Sequence, residues 1–294
     1  MTDHDQTRPA VKPPKKEPVV GIIGGRGRMG QMFKRLFEAD GHPVLVAGRS
    51  TELTYEALAE QADVVILSVP VVDTPAIVDR IAPHLRPVQL LSDFTSIKVA
   101  PVAAMLETPA SVIGCHPVFG PMADVTGQNV VLCPARPGQW LDWYEAFFIR
   151  HGMRVMQLSP QAHDEAMAFI QGLTHFLNIT FAQTLQTRSA DLERLLEICS
   201  PVYRLFFSVL SRILSGSPEL YGQIQVNNPN NVPVIEEFLA NGQAFLDKVR
   251  NHEADGVTDV FETAAKYLGN YKQQAREESD FLIEQLIPFL SKKS

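Results

Sequence analysis

The stretch "GCHPVFGP", residues 114–121, holds one ionisable ring in a stiff bracket. Pro117 restricts His116 to extended backbone, and Gly120-Pro121 adds a second turn. A neutral imidazole held still suits a general base; a satisfied structural histidine is the reading this stretch alone leaves open. Ser96, in "SDFTSIK" (92–98), follows an apolar run, where it either faces a ligand crevice or caps a helix. Lys98 reads as a solvated first-turn residue. Gln171 and His175 stand four apart in "AMAFIQGLTHF", so on a helix they share a face otherwise suited to core side chains such as Met167. His163 and Asp164 read as a first-turn pair. Arg204, Ser208 and Arg212 recur every four residues among apolar neighbours in "SPVYRLFFSVLSRIL". An arginine in so apolar a helix wants a buried anion, from the protein or from a ligand.

A further group binds rather than reacts. Gly25-x-Gly27-x-x-Gly30 follows the apolar run "VVGII" and opens an amphipathic stretch. Such glycines allow a tight turn and close backbone approach to a pyrophosphate on a helix N-terminus. Gly25, Arg26, Gly27, Arg28, Met29 and Gly30 are therefore expected to hold a dinucleotide. The second apolar run ends "LVAGRST", where a chain that prefers NAD usually carries an acid for the ribose hydroxyls. Gly48, Arg49 and Ser50 stand there instead. Arg49 and Ser50 suit a 2′-phosphate, which favours NADP over NAD. Ser68, Val69 and Pro70 end the third run and are expected to border the cofactor. No histidine, cysteine or acid spacing reads as a metal site, and none is expected.

The elements that must position these groups follow a simple order. From residue 19 to 158, seven short β-branched runs alternate with helix-length amphipathic stretches. That pattern predicts βαβ units and a mostly parallel, Rossmann-type sheet. The runs are apolar throughout, as strands covered on both faces should be. After 158 the strand signals stop, and Ser159-Pro160 and Ser200-Pro201 read as helix starts. The expected organisation is a flexible tail over 1–18, a dinucleotide-binding domain over 19–158 and an all-helical substrate and dimerisation domain over 159–294.

The 294 residues carry a formal net charge of -7 and no basic block beyond "KPPKK". That is a poor footprint for nucleic-acid binding, so an anionic ligand must be held by a few local cations. Three widely separated cysteines fit a reducing, cytoplasmic setting rather than a disulfide framework. No apolar run is long enough for a membrane span, and the first residues do not read as a signal peptide.

Taken together, "DFTSIK", "GCHPVFGP", "AHDEAMAFIQGLTHF" and "SPVYRLFFSVLSRI", after a Gly-rich first turn, resemble prephenate dehydrogenase. The likeness is to the dehydrogenase half of the bifunctional chorismate mutase–prephenate dehydrogenases, and it runs from about residue 19 onward. It implies a nucleotide-binding domain, a helical domain that builds a homodimer, and oxidative decarboxylation of prephenate to 4-hydroxyphenylpyruvate in tyrosine biosynthesis. It implies that His116 takes the proton of the ring hydroxyl, with Ser96 contacting the same hydroxyl. It implies that Arg212 binds the ring carboxylate, with Arg204 in support, and that His175 lies near the pyruvyl group, with Gln171 on the same helix face. As hydride leaves the ring, the hydroxyl becomes acidic, a ring carbonyl forms, carbon dioxide departs and the ring aromatises. The chain departs from the likeness in showing no mutase domain before its first strand and no acid after its second.

Arogenate dehydrogenase is the nearest rival reading. A β-hydroxyacid dehydrogenase would place a lysine where residues 159–187 have none, and a short-chain dehydrogenase needs a YxxxK that is absent. A non-catalytic nucleotide-binding redox regulator would need the glycines but not the histidine, serine and arginines.

Overall fold

The computed structural model describes residues 17–292, so residues 1–16 of the expected tail lie outside the described residues. The chain divides into two compact units, one ending at Met167 and the other beginning at Ala168.

All seven apolar runs form strands: β1 (Val20–Ile23), β2 (Val44–Ala47), β3 (Val64–Leu67), β4 (Leu90–Asp93), β5 (Ser111–Pro117), β6 (Asn129–Arg136) and β7 (Arg154–Gln157). Their spatial order is β2-β1-β3-β4-β5-β6-β7. The first five are mutually parallel; β6 runs antiparallel to β5, and β7 parallel to β6. Among the described residues six α-helices belong to this unit: α1 (Arg28–Ala39), α2 (Tyr55–Gln61), α3 (Thr74–Ile81), α4 (Val99–Leu106), α5 (Leu141–Arg150) and α6 (Pro160–Met167).

Strand alternation sends residues to two cores. Val20, Ile22, Val64, Ile66 and Ile113 meet Phe33 and Phe37 of α1 and Tyr144 and Phe147 of α5. Ile23, Val65, Leu67 and Val112 meet Leu58 of α2, Val78 of α3 and Val102 of α4. Both faces of β1, β3, β4 and β5 are covered, which is why those runs read as continuously apolar, whereas the edge strand β7 is largely exposed. Each such side chain, fully buried, stabilises the unit by roughly 1.5–3 kcal/mol.

The second unit is helical throughout. It opens with a π-helical segment, Ala168–Leu173, and continues through α7 (Thr174–Thr187), α8 (Leu192–Ile198), α9 (Pro201–Leu214), α10 (Pro218–Asn227), α11 (Asn231–Arg250), α12 (Ala254–Leu268) and α13 (Tyr271–Ser291). The last expected helical stretch is broken at Gly269, whose φ of +54° ends α12. Ser159 does cap α6, accepting from Ala162 N–H at 3.1 Å. Ser200 is extended but its hydroxyl caps nothing, and only the proline marks that start. Among the apolar side chains described in this unit, Ala168, Leu210 and Ile224 are buried, whereas Tyr203, Phe261 and Tyr267 stand well exposed. So much open apolar surface marks an association surface rather than a finished core. No helix among the described residues is long and apolar enough to cross a membrane.

Candidate active site

The site is built at the carboxyl ends of β4 and β5. β4 ends in Asp93, a carboxylate with no solvent exposure. The chain then turns so that Lys98 reaches back beneath it. Lys98 is 0 % exposed; its ammonium pairs with the Asp93 carboxylate and donates to the Cys115 carbonyl on β5 at 2.9 Å. Asp93 also accepts from Thr95 N–H at 3.0 Å, from the Thr95 hydroxyl and from Cys115 N–H at 3.3 Å. The expectation of a solvated Lys98 is therefore wrong. A four-carbon stem spans the turn, and Asp93 supplies the only condition under which its charge can be buried.

Helix α4 follows at once, and Ser96 does not cap it. Lys98 occupies the capping position, and the cap comes from another helix. Asp164 of α6 accepts from Lys98 N–H through Oδ1 at 2.7 Å and from Val99 N–H through Oδ2 at 2.9 Å. Asp164 is thus more than a first-turn charge: it is buried, and it satisfies two otherwise orphaned donors of α4. Its neighbour His163 lies between two partners. Nδ1 is 2.7 Å from Asp164 Oδ1, and Nε2 is 2.8 Å from Nδ1 of His116.

His116 sits on β5, 2 % exposed, opposite Val131 of β6. Burial holds its pKa well below the ordinary histidine value of 6.5, and the neighbouring His163 and the Lys98 ammonium act in the same direction. His163 is lowered too, chiefly by burial, against the raising effect of Asp164. Both rings are consequently neutral near pH 7. Burial pushes the Cys115 thiol up, so that side chain stays protonated and packs as a small apolar neighbour. Ser96 is half-buried, and its hydroxyl has no hydrogen-bond partner among the described residues.

The glycine loop joins β1 to α1. Gly24, outside the expected string, takes the positive φ, +83°, and a Cβ there would fall 2.3 Å from the Ser68 carbonyl oxygen. A Cβ on Gly30 would come within 2.6 Å of Gly25 Cα, so the loop lies flat on its helix. Gly27 precedes α1 with no side-chain cap, and the first turn carries no acid. The leading N–H groups are thus left for an anion, as a dinucleotide pyrophosphate requires. The loop leads into Arg28 and Met29. Arg26 Nη1 donates to Ser50 O at 2.9 Å and Ser50 Oγ at 3.0 Å, tying the loop to the end of β2. Arg49 is exposed beside it, and Ser68, Val69 and Pro70 continue from β3.

In the helical unit, Gln171 lies in the π-helical segment and His175 in the first turn of α7. Gln171 Oε1 and His175 Nδ1 are buried without a hydrogen-bond partner among the described residues. His175 meets Tyr221 of α10 edge-on, with centroids 4.7 Å apart, and burial lowers its pKa. Gln225 donates to the Gly172 carbonyl at 3.0 Å, and a Cβ on Gly172 would strike Asn231 Oδ1 at 2.2 Å. Only glycine lets α11 seat there. Arg204 is half-buried and Arg212 exposed on α9, and neither guanidinium has an ion-pair partner among the described residues. Of the two anion sources expected, protein or ligand, no protein carboxylate pairs with them among the described residues, and Val202, Phe206 and Val209 on the same helix are themselves exposed.

Sequence reasoning missed Asp93, Thr95, Lys98, His163, Asp164 and Gly24. The acid closing an apolar strand in "LLSDF" was the available signal for Asp93. The links between residues 98, 116 and 163 are long-range and left none.

Residues 44–157 match the family described as "Prephenate dehydrogenase, nucleotide-binding domain", and residues 159–263 match "Prephenate dehydrogenase, dimerization domain". The chain is 33% identical over 266 residues to the T-protein of Haemophilus influenzae, covering 90% of this chain and 71% of that protein. It is 32% identical over 283 residues to a Methanocaldococcus jannaschii protein described as "Probable arogenate/prephenate dehydrogenase", covering 89% of this chain and 63% of that one. The fold matches the crystal structure of a prephenate dehydrogenase from A. aeolicus in complex with hydroxyphenyl propionate and NAD+. That match has a TM-score of 0.67 at 20% identity, over 87% of this chain and 99% of that one.

Proposed function

The chain belongs to the prephenate dehydrogenase family, and from that premise we propose that it oxidatively decarboxylates prephenate to 4-hydroxyphenylpyruvate with NADP preferred over NAD. One observation carries the reading: His116 is a neutral, buried imidazole whose Nδ1 is engaged by His163, while no hydrogen bond among the described residues involves its Nε2. That is the state a general base needs before it accepts a proton.

The glycine loop from Gly24 to Gly30 holds the dinucleotide, and a bound nicotinamide supplies the hydride acceptor. As hydride leaves the ring carbon, His116 takes the proton of its hydroxyl and Ser96 contacts the same oxygen. A dienone carbonyl forms. The ring carboxylate then departs as carbon dioxide, and the imidazolium returns its proton to the phenolate oxygen. Arg212 binds the ring carboxylate, Arg204 supports it, and His175 and Gln171 face the pyruvyl group. Their unpartnered polar atoms and free guanidinium groups support those roles, since a dianionic substrate supplies what the protein does not.

Gly48 directly after β2, in place of the acid expected there, together with Arg49, Arg26 and Ser50, supports NADP. The open apolar surface of the helical unit and its match to a dimerization domain support a homodimer. The cysteine pattern supports a cytoplasmic setting. Arogenate is the second reading, because the description of the M. jannaschii relative names arogenate beside prephenate. Initial rates with prephenate and arogenate, each against NAD and NADP, test all of this. Fastest reduction is expected for prephenate with NADP. Turnover of arogenate alone moves the protein to the second reading, and no reduction with either substrate leaves a non-catalytic nucleotide binder.

A further inference from the structure

We infer that His163 and Asp164 are positioning residues that fix His116 as its Nδ1–H tautomer, so that Nε2 is the nitrogen that accepts a proton. The inference rests on the reading of His116 as base for its catalytic meaning, but the tautomer itself depends on no substrate.

The argument begins at the carboxylate. Asp164 accepts two backbone N–H bonds, from Lys98 and Val99, at the positive end of α4. Both of its oxygens thus already act as acceptors, at a helix end that favours negative charge. An ionised carboxylate has no proton to give, so His163 Nδ1, 2.7 Å from Oδ1, is the donor. A neutral imidazole carries one N–H, which leaves His163 Nε2 a lone pair. The 2.8 Å contact from that nitrogen to His116 Nδ1 then needs its proton on His116. The opposite arrangement would set a bare Nδ1 of His163 against a carboxylate oxygen, two acceptors facing at 2.7 Å. A charged His163 would reverse the second bond, and burial together with Lys98 opposes that charge.

The groups bearing on the pair come from every side of it. His163 and Lys98 act on His116; Asp164, Lys98 and Asp93 act on His163. Asp164 itself is bonded both to the start of α4 and to His163. It orients, as the outer carboxylate of a histidine relay does.

Selective 15N-histidine labelling of the whole protein gives a direct readout from eight histidines. Above pH 6.5, His116 is expected to show a protonated Nδ1 and a bare Nε2. His163→Leu is expected to shift it toward Nε2–H and to lower kcat roughly 10–100-fold with KM little changed. The acid limb of the kcat profile should move as well. His163→Gln, which restores an acceptor for His116 Nδ1–H, should recover most of the loss. A wild-type His116 protonated at Nε2 overturns the inference, as does an unchanged kcat in His163→Leu or an equal loss in both variants. Should His163→Leu fail to fold, the wild-type spectrum alone decides. Should neither prephenate nor arogenate react, the proposed activity falls while the spectrum still tests the tautomer.

Discussion

Asp93, Lys98, His163 and Asp164 are wholly buried in the sheet unit, and every one of them finds its partners there. The helical unit treats its polar groups differently. Gln171 Oε1 and His175 Nδ1 are buried with no partner, and Arg204 and Arg212 carry charge with no described anion beside them. The contrast separates two kinds of work. A base must have its orientation and protonation fixed before the reaction, so its surroundings are closed and saturated. Groups that recognise a charged ligand must keep their hydrogen-bonding capacity for it, and stay open until it arrives.

Three substitutions, one of them with a compensating partner, press on that contrast. His116→Asn removes the group the closed cluster serves. It should lower kcat by about 10²–10⁴-fold while leaving KM near its wild-type value in steady-state assays. Full activity would mean that the saturated cluster serves the fold alone. Lys98→Met leaves the Asp93 carboxylate buried without a counter-charge and should cost roughly 3–5 kcal/mol in denaturant unfolding. Adding Asp93→Asn removes the orphaned charge and should return much of that stability; a single variant as stable as wild type would show the pair to be dispensable. Arg212→Ala touches only the open side. It should raise KM roughly tenfold with kcat little altered and no change in unfolding midpoint. If unfolding shifts and KM does not, the arginine is structural and the two units are less different than they look.

The architecture was legible because it follows from local pattern. Seven apolar runs became seven strands, and Ser159-Pro160 became a capped helix start. The glycine string, His116 and the Gln171/His175 pair were visible from residue type and spacing. What stayed hidden were polar groups whose meaning lies in partners far along the chain. Asp93 with Lys98 spans five residues, yet its burial depends on strands β4 and β5 lying side by side. Asp164 looked like a helix-start charge because that is its local position; its actual service is to a helix 65 residues earlier. Gly24 escaped notice because the familiar string begins one residue later, while the positive φ falls on Gly24 itself. In α9 the apolar neighbours pointed to an anion for the arginines, from the protein or from a ligand; the helix presents Val202, Val209 and Arg212 to the outside and leaves Arg204 half-buried, with no protein anion beside either among the described residues.

The carboxylate that caps α4 also settles where the nucleotide-binding half can be cut. The strands end at Gln157, and a break drawn there would look clean on the pattern of elements. It would strip two backbone donors and one imidazole of their acceptor in a single stroke. An inherited or engineered exchange of helical halves between relatives must therefore carry the first helix with the sheet, and the seam belongs after Met167. Modularity in this protein is a matter of who satisfies whom, and its joints need not coincide with the last strand.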